Sequence, residues 1–461
     1  MQPTNIDSGK MYAPDTSVLL HSPQSLFSFD ENTVIITQRT IDELIEYRSQ
    51  PGEIGANARE ALRILAELAS HGTLSAGVPL KNGGTLITMP NYDPARDPFI
   101  HNKGTLVTLD DAVYVRCNNM GMKVERYRTD SVVPREGGYD GRCIVYVPSS
   151  AMREFAFTKH LALRDDFLFL SVSGKVMEKY KPTINEFAVL TDSSNPQSTM
   201  LARWDGEQFV SLLYQPENQT VFGVTPRNVG QRFALEALMA PASVAPLVIL
   251  KGAAGTAKTF LAMAAALECV TNPREEDEVH MRRILVTRPN TKFDDDIGFL
   301  KGGEAEKIGP LIRPVLDNLE NLMARNERSG KSRKDGKDTG NTYDYFFDKG
   351  VITAQAMAYM RGRSICNNFI VIDEAQNATP NQILGLITRP GEGTKIVILG
   401  DPDQIDNMYL DRTNNGLVYA SERMKGSPLC WQVSFTEEEC TRSPLASEAI
   451  NRMSGKTACV R

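Results

Sequence analysis

Gly252-Ala253-Ala254-Gly255-Thr256-Ala257-Lys258-Thr259 follows the apolar run Leu247-Val248-Ile249-Leu250 and precedes the helix-like run Phe260 to Leu267. A strand, a glycine-rich turn and a helix in that order make a cradle for phosphate. Backbone N–H groups of the turn converge on the anion, the helix N-terminus adds its positive dipole, Lys258 supplies a point charge, and the Thr259 hydroxyl is placed to hold Mg²⁺. The spacing reads as a P-loop, the first strand–helix unit of an α/β nucleotide-binding domain; a Gly/Ala-rich turn with a solvated Lys is the bland alternative. The pattern has Gly where this chain has Ala257. A Cβ there costs roughly 1–2 kcal/mol if the backbone sits at positive φ and nothing if it is helical, so the departure bears on nucleotide affinity.

Further along, Phe369-Ile370-Val371-Ile372 ends in Asp373-Glu374-Ala375-Gln376-Asn377, the pattern of a buried parallel strand with two carboxylates at its C-terminal end. With a P-loop upstream this is a Walker B arrangement. Asp373 is expected to bind Mg²⁺ through its water shell and Glu374 to orient and deprotonate an attacking water, because phosphoryl transfer needs positioning and charge neutralisation above all. Lys395-Ile396-Val397-Ile398-Leu399 delivers Gly400-Asp401-Pro402-Asp403-Gln404 in the same way, with Gln404 a candidate sensor of the γ-phosphate, and Ile284 to Thr287 delivers Arg288-Pro289. Ligands collect at the carboxyl ends of strands in parallel sheets, so these polar tips are expected around one crevice.

These residues converge on a family. Arg361-Gly362-Arg363, Ile372 to Asn377 and Gly400 to Asp406, together with Gly298-Phe299-Leu300, Ile312-Arg313-Pro314 and Leu316-Asp317, resemble the PhoH proteins, ATPases related to superfamily 1 helicases. The resemblance runs from about Arg227 to Arg461. It implies that Gln231, in the lead-in Pro226 to Gln231, reads the adenine edge. It also makes Arg442, in Thr441-Arg442-Ser443-Pro444, a candidate arginine finger, a surface Arg in a C-terminal helix being the other reading.

The front of the chain carries a second set of acids. Asp15 follows a short strand-like entry at Met11; Val34-Ile35-Ile36 leads into Thr40-Ile41-Asp42-Glu43; Leu106-Val107-Thr108-Leu109 stops at Asp110-Asp111. Strands that each deliver an acid to one end build a site for Mg²⁺ or Mn²⁺, which prefer carboxylate and water oxygens, and such a site activates water against a phosphodiester. Taken singly, Asp15 and Asp110 also fit helix N-caps, and Thr40 with Glu43 fits a capping box. As an ordered set, Asp15-Thr16-Ser17, Glu43-Leu44 and Thr108-Leu109-Asp110 resemble the PIN-domain ribonucleases over roughly residues 10 to 130. For a fourth acid, Glu125 and Asp130 are the candidates, with Arg126 standing where an acid is expected.

The whole chain thus resembles the PIN–PhoH proteins, bacterial enzymes associated with RNA unwinding and cleavage. That resemblance implies ATP and Mg²⁺ as cofactors (Mn²⁺ an option at the front site), RNA as partner and a hexameric ring. The chain's 461 residues are expected to divide into a PIN-like α/β/α domain (1–135), a small β-rich module (136–225) and a P-loop parallel-sheet domain (226–461). In the middle module, Cys143 to Val147, Phe167 to Leu170, Phe187 to Leu190 and Phe209 to Leu213 are short strand-like runs between turn residues; of two readings, a spacer between the catalytic halves or a grip on RNA, the spacer is favoured. A net charge of −6 excludes a global basic field, leaving Arg325 to Lys337 as the local basic stretch, an RNA-gripping loop or a solvated insertion. Seven scattered Cys without a CxxC pair indicate neither a disulfide framework nor a zinc site and fit a reducing cytoplasm. There is no run of eighteen apolar residues and no leader-like N-terminus, so no membrane span or secretion is expected.

Overall fold

A computed structural model of the chain describes residues 10–50, 52–89, 104–127, 138–214, 220–273, 280–289, 313, 315, 317–324, 346–347, 349–360, 364–407 and 410–440. Arg361 to Arg363, the basic stretch Arg325 to Lys337, Asp130 and Arg442 lie outside them. The chain forms two compact units, Met1–Ser131 and Val132–Arg461.

In the first unit, β1 (Met11–Pro14), β2 (Thr33–Thr37), β3 (Val78–Pro79), β4 (Thr85–Met89), β5 (Gly104–Thr108) and β6 (Val124–Arg126) form a sheet of order β3-β4-β2-β1-β5-β6. All its pairings are parallel except β3 with β4. Side chains alternate across a strand, so Val34 and Ile36 join Val18, Leu19, Leu26 and Leu44 in the main core, while Ile35 joins Ala13 on the opposite face. Helices α1 (Thr16–His21), α2 (Gln38–Tyr47), α3 (Gly52–Ala69) and α4 (Asp111–Asn119) complete the unit. The chain leaves the carboxyl ends of β1 and β5 directly into Asp15 and Asp110, the N-caps of α1 and α4.

The second unit holds two sheets. The first has β7 (Arg142–Val147), β8 (His160–Ala162), β9 (Leu168–Leu170), β10 (Phe187–Asp192), β11 (Asn195–Trp204) and β12 (Gln208–Ser211) in the order β8-β12-β11-β10-β7-β9, with α5 (Ser149–Thr158) beside it. Only β7 and β10 pair in parallel. The second has α6 (Val229–Met239), β13 (Leu247–Lys251), α7 (Lys258–Thr271), β14 (Arg283–Thr287), β15 (Ile352–Ala354), β16 (Asn368–Ile372), α8 (Pro380–Ile387), β17 (Lys395–Gly400), α9 (Gly416–Arg423) and β18 (Cys430–Ser434). Its strand order is β15-β14-β16-β17-β13-β18, parallel throughout. Strands covered on both faces read as unbroken apolar runs, and β13 and β17 are buried along their whole length.

The two sheets of this unit share a core. Phe187 of β10 stacks on Phe233 of α6 at 4.8 Å and meets Trp431 of β18 edge-on at 5.8 Å, while Arg203 of β11 lies 4.4 Å over the Trp431 ring. Polar ties run beside them: Lys251 Nζ donates to Tyr139 O at 2.5 Å, and Tyr139 N donates to Glu422 Oε1 at 2.7 Å. The β-rich segment is therefore packed on the parallel sheet.

Candidate functional site

Three strand ends, those of β13, β16 and β17, meet at one cleft in the second unit, and Arg288 after β14 reaches it through Glu374. It is lined by Ala254, Gly255, Ala257, Lys258, Thr259, Phe260, Asn318, Asp373, Glu374, Gly400, Asp401 and Gln404. Gly252 leaves β13 at φ 151°, and a Cβ there would lie 2.8 Å from Phe435 Cβ, so only glycine fits against that neighbour. Ala257 caps α7 at φ 68° and ψ 23°, in the left-handed region; this is the condition under which its Cβ strains the loop.

Lys258 is folded onto the loop it follows, its Nζ donating to Gly252 O at 2.6 Å and Ala253 O at 3.0 Å. Burial lowers its pKa, opposed by the carboxylates of Asp401, Asp373 and Glu374. Thr259 Oγ1 donates to Asp373 Oδ1 at 3.1 Å, joining the two expected cation ligands. Burial and then repulsion from Glu374 raise the Asp373 carboxyl, with Arg288 and Thr259 acting the other way. A buried carboxylate beside a second carboxylate and a hydroxyl is a donor set that a hard divalent cation fits.

Glu374 is held from two sides: Arg288 Nη2 stands 3.1 Å from its Oε1, and Gln376 Nε2 donates to its Oε2 at 2.5 Å. Its backbone, at φ 54° and ψ 39°, is left-handed, a strained conformation of the kind that clusters at active sites. Gln376, fully buried, also donates to Gln404 O at 2.9 Å and accepts from Asp401 N at 3.1 Å. Asp401 Oδ2 in turn accepts from Ala254 N of the loop at 3.0 Å. Sequence reasoning assigned no role to Arg288, Gln376, Asp401 or Asn318. For the first three the signal lay in their position at strand tips beside named residues; for Asn318 there was none, since its segment approaches the cleft only in the fold. Gln231 is buried outside the cleft lining, its Oε1 accepting from Arg227 N at 2.9 Å.

In the first unit the acids form a hydrogen-bonded patch. Asp15 Oδ1 accepts from Ser17 N at 2.8 Å and Ser17 Oγ at 2.5 Å, and its Oδ2 accepts from Thr108 Oγ1 at 2.5 Å. Burial raises the Asp15 carboxyl against those bonds. Thr108 Oγ1 also accepts from Asp110 N at 2.9 Å, and Asp110 Oδ1 caps α4 through Ala112 N and Val113 N. Glu43 accepts from Thr16 Oγ1 at 2.5 Å and pairs with Arg39 at 2.7 Å. The Thr40–Glu43 capping box does not form, because α2 starts earlier, at a Thr37 cap whose Oγ1 accepts from Thr40 N. Glu125 is paired with Lys123 at 3.8 Å and Arg126 with Asp111 at 2.5 Å. Among the described residues no group of three His, Cys, Asp or Glu side chains is placed to hold a metal ion. As placed, the carboxylates of Asp15, Glu43 and Asp110 are each engaged by the protein's own donors.

Comparison with known proteins follows the same division. The family model described as PhoH-like protein matches residues 223–454, and a PIN domain model matches residues 12–83. Protein PhoH2 of Bacillus subtilis is 33% identical over 471 residues, spanning 96% of this chain and 99% of its own. Protein PhoH2 of Thermobispora bispora is 29% identical over 474 residues, 96% of each chain, and that of Mycolicibacterium smegmatis 29% over 463 residues, 95% of each. A solved complex of arterivirus nonstructural protein 10 (helicase) with DNA is matched over 50% of this chain and 44% of that one, at 14% identity and a TM-score of 0.16, too low to indicate a shared fold. The P-loop cleft falls inside the first matched segment, Asp15 and Glu43 fall inside the second, and full-length relatives span both: the chain belongs to the PIN–PhoH family.

Proposed function

We propose that the chain is an ATP-hydrolysing RNA helicase joined to a PIN endoribonuclease domain. The observation that carries the motor half is the Thr259–Asp373 pair beside a Glu374 clamped by Arg288 and Gln376, all over the phosphate loop. Bound Mg²⁺ would neutralise charge on the phosphates of ATP, with Thr259 and Asp373 holding it. Lys258 exchanges its two loop carbonyls for phosphate oxygens, a stronger, charge-assisted bond. Glu374 orients and deprotonates the attacking water. Gln404, tied through its carbonyl to the amide that holds Glu374, carries the phosphate state to the strand-end loops. Gln231 faces adenine, and Arg442 acts as arginine finger across a hexameric ring in the cytoplasm. RNA as the substrate comes from the family resemblance, and no helix among the described residues is long and apolar enough to cross a membrane.

ATP turnover with and without single-stranded RNA, on the parent and Lys258→Ala, tests this. RNA is expected to raise turnover in the parent, and Lys258→Ala to abolish it; turnover indifferent to RNA removes the helicase reading. The engaged state of Asp15, Glu43 and Asp110 favours a second reading for the front half, a PIN domain that binds RNA or a partner without cutting it. Mn²⁺-supported cleavage lost in Asp15→Asn would decide for the nuclease, and cleavage unaltered by that substitution would decide against it.

A further inference from the structure

Glu439 lies outside the cleft, yet bonds from three parts of the second unit converge on it. Its carboxylate accepts from Arg142 Nη1 at 2.9 Å and Nη2 at 2.5 Å, from Gly230 N at 2.7 Å and from Thr436 N at 3.0 Å. Its carbonyl accepts from Asn228 Nδ2 at 3.0 Å. A Cβ on Gly230 would come within 2.5 Å of the carboxylate, so the acid is seated against the first turn of α6 with no room for a side chain between. The Arg142 side chain is only 5% exposed.

Two of the three parts border residues assigned to nucleotide. Gly230 precedes Gln231, whose own N–H is held by Asn228 Oδ1 at 2.9 Å. The segment that carries Glu439 lies on the phosphate loop: Phe435 N donates to Lys251 O at 2.7 Å, Phe435 abuts Gly252, and Cys440 Sγ donates to Ala254 O at 3.5 Å. Arg142 comes from β7, in the other sheet. A buried ion pair adds little stability over an apolar pair of equal volume. What a guanidinium fork does supply is the orientation of the carboxylate it grips.

We infer that Arg142 and Glu439 are positioning residues for the nucleotide site. Through Arg142 the mixed sheet fixes Glu439, and Glu439 fixes both the start of α6, with Gln231, and the 435–440 strap against the phosphate loop. Base-side affinity and the preference for adenine depend on this pair; hydrolysis at Glu374 does not. The inference rests on the reading of the cleft as an ATP site and on the assignment of Gln231 to the adenine edge.

The test uses the full chain, a fluorescent ATP analogue for binding, and steady-state turnover of ATP and GTP. Glu439→Gln keeps the size of the side chain and an acceptor for Gly230 N–H while removing the charge and setting an NH2 against Thr436 N–H and Arg142 Nη2. It is expected to raise KM for ATP about five- to tenfold, the effect of one ordinary hydrogen bond, to hold kcat within about twofold, and to narrow the ATP-over-GTP preference. Arg142→Lys, which keeps the charge and loses the fork, is expected to shift KM in the same direction by less. KM and base preference equal to the parent's, with only a lower melting temperature, overturn the inference, as does a fall in kcat at unchanged KM. A parent that fails to bind the analogue refutes the ATP reading before any variant is compared, and the inference falls with it.

Discussion

Ala257 shows what a single side chain does to this loop. Its left-handed backbone, φ 68°, is imposed by the turn into α7, and among ordinary residues only glycine adopts it freely. Relief of that strain gains about 1–2 kcal/mol, from which the extra freedom of an unfolded glycine takes back about 0.4–1 kcal/mol. Ala257→Gly is therefore expected to stabilise the protein by roughly 0.5–1 kcal/mol in urea unfolding, with ATP affinity little changed because the free loop already carries the same strain. A destabilised variant would show that the Cβ makes a contact worth more than the strain. The spacing of the motif located this residue and named the condition for strain; φ itself depends on the turn that β13 and α7 impose and could not be read from the chain.

At the level of elements, what matters is how strand tips are wired together. The apolar runs of β13, β14, β16 and β17 and their polar ends were legible because parallel strands buried on both faces leave an unmistakable pattern. β18 was not, since Cys430-Trp431-Gln432-Val433 interrupts its apolar run with Gln432, a buried amide satisfied by Ser421. Asp15 and Asp110 follow β1 and β5, as the pattern suggests, whereas Glu43 lies within α2; the Thr108–Asp15 bond is set by the register of β1 against β5, which no local pattern encodes. The same holds for Gln376, whose single amide joins the β16 tip to the β17 tip through Glu374, Gln404 and Asp401. Gln376→Leu fills the space and leaves buried groups unpaired, which costs about 1–3 kcal/mol, and it frees Glu374 on one side. A drop in kcat of about tenfold or more, within the range of general-base catalysis, is expected with ATP binding nearly intact. Unchanged kcat in a folded Gln376→Leu protein would mean that Arg288 alone positions Glu374.

The second unit behaves as one body because its two sheets share buried apolar and ionic contacts, and this has two consequences at the scale of the molecule. Burial acts to raise the Glu439 carboxyl, but the bonds from Arg142, Thr436 and Gly230 outweigh it and hold its pKa below the ordinary 4.5. A carboxyl with a depressed folded pKa stabilises the fold above its unfolded pKa and loses that contribution as pH falls through the folded one. The stability gap between the parent and Glu439→Gln is thus expected to be constant above pH 4.5 and to close on further acidification; a gap independent of pH in denaturant titrations would mean that charge is not what the pair contributes. The second consequence concerns where the chain can be cut. A fragment beginning at Val132 keeps Phe187 between Phe233 and Trp431, Arg203 over Trp431 and Arg142 on Glu439. A fragment beginning at residue 226, the boundary that the change in sequence character suggests, strips the cover from Phe233 and Trp431 and leaves Glu439 as a buried charge without its partner, a loss of roughly 3–5 kcal/mol for the ion pair alone, against a total stability of about 5–15 kcal/mol for a domain. The fragment 132–461 is expected to remain monodisperse, unfold cooperatively and bind ATP within about threefold of the full chain, whereas 226–461 is expected to aggregate or unfold without a cooperative transition. A soluble, cooperatively folded 226–461 that binds ATP like the full chain would show that the mixed sheet is dispensable to the nucleotide site.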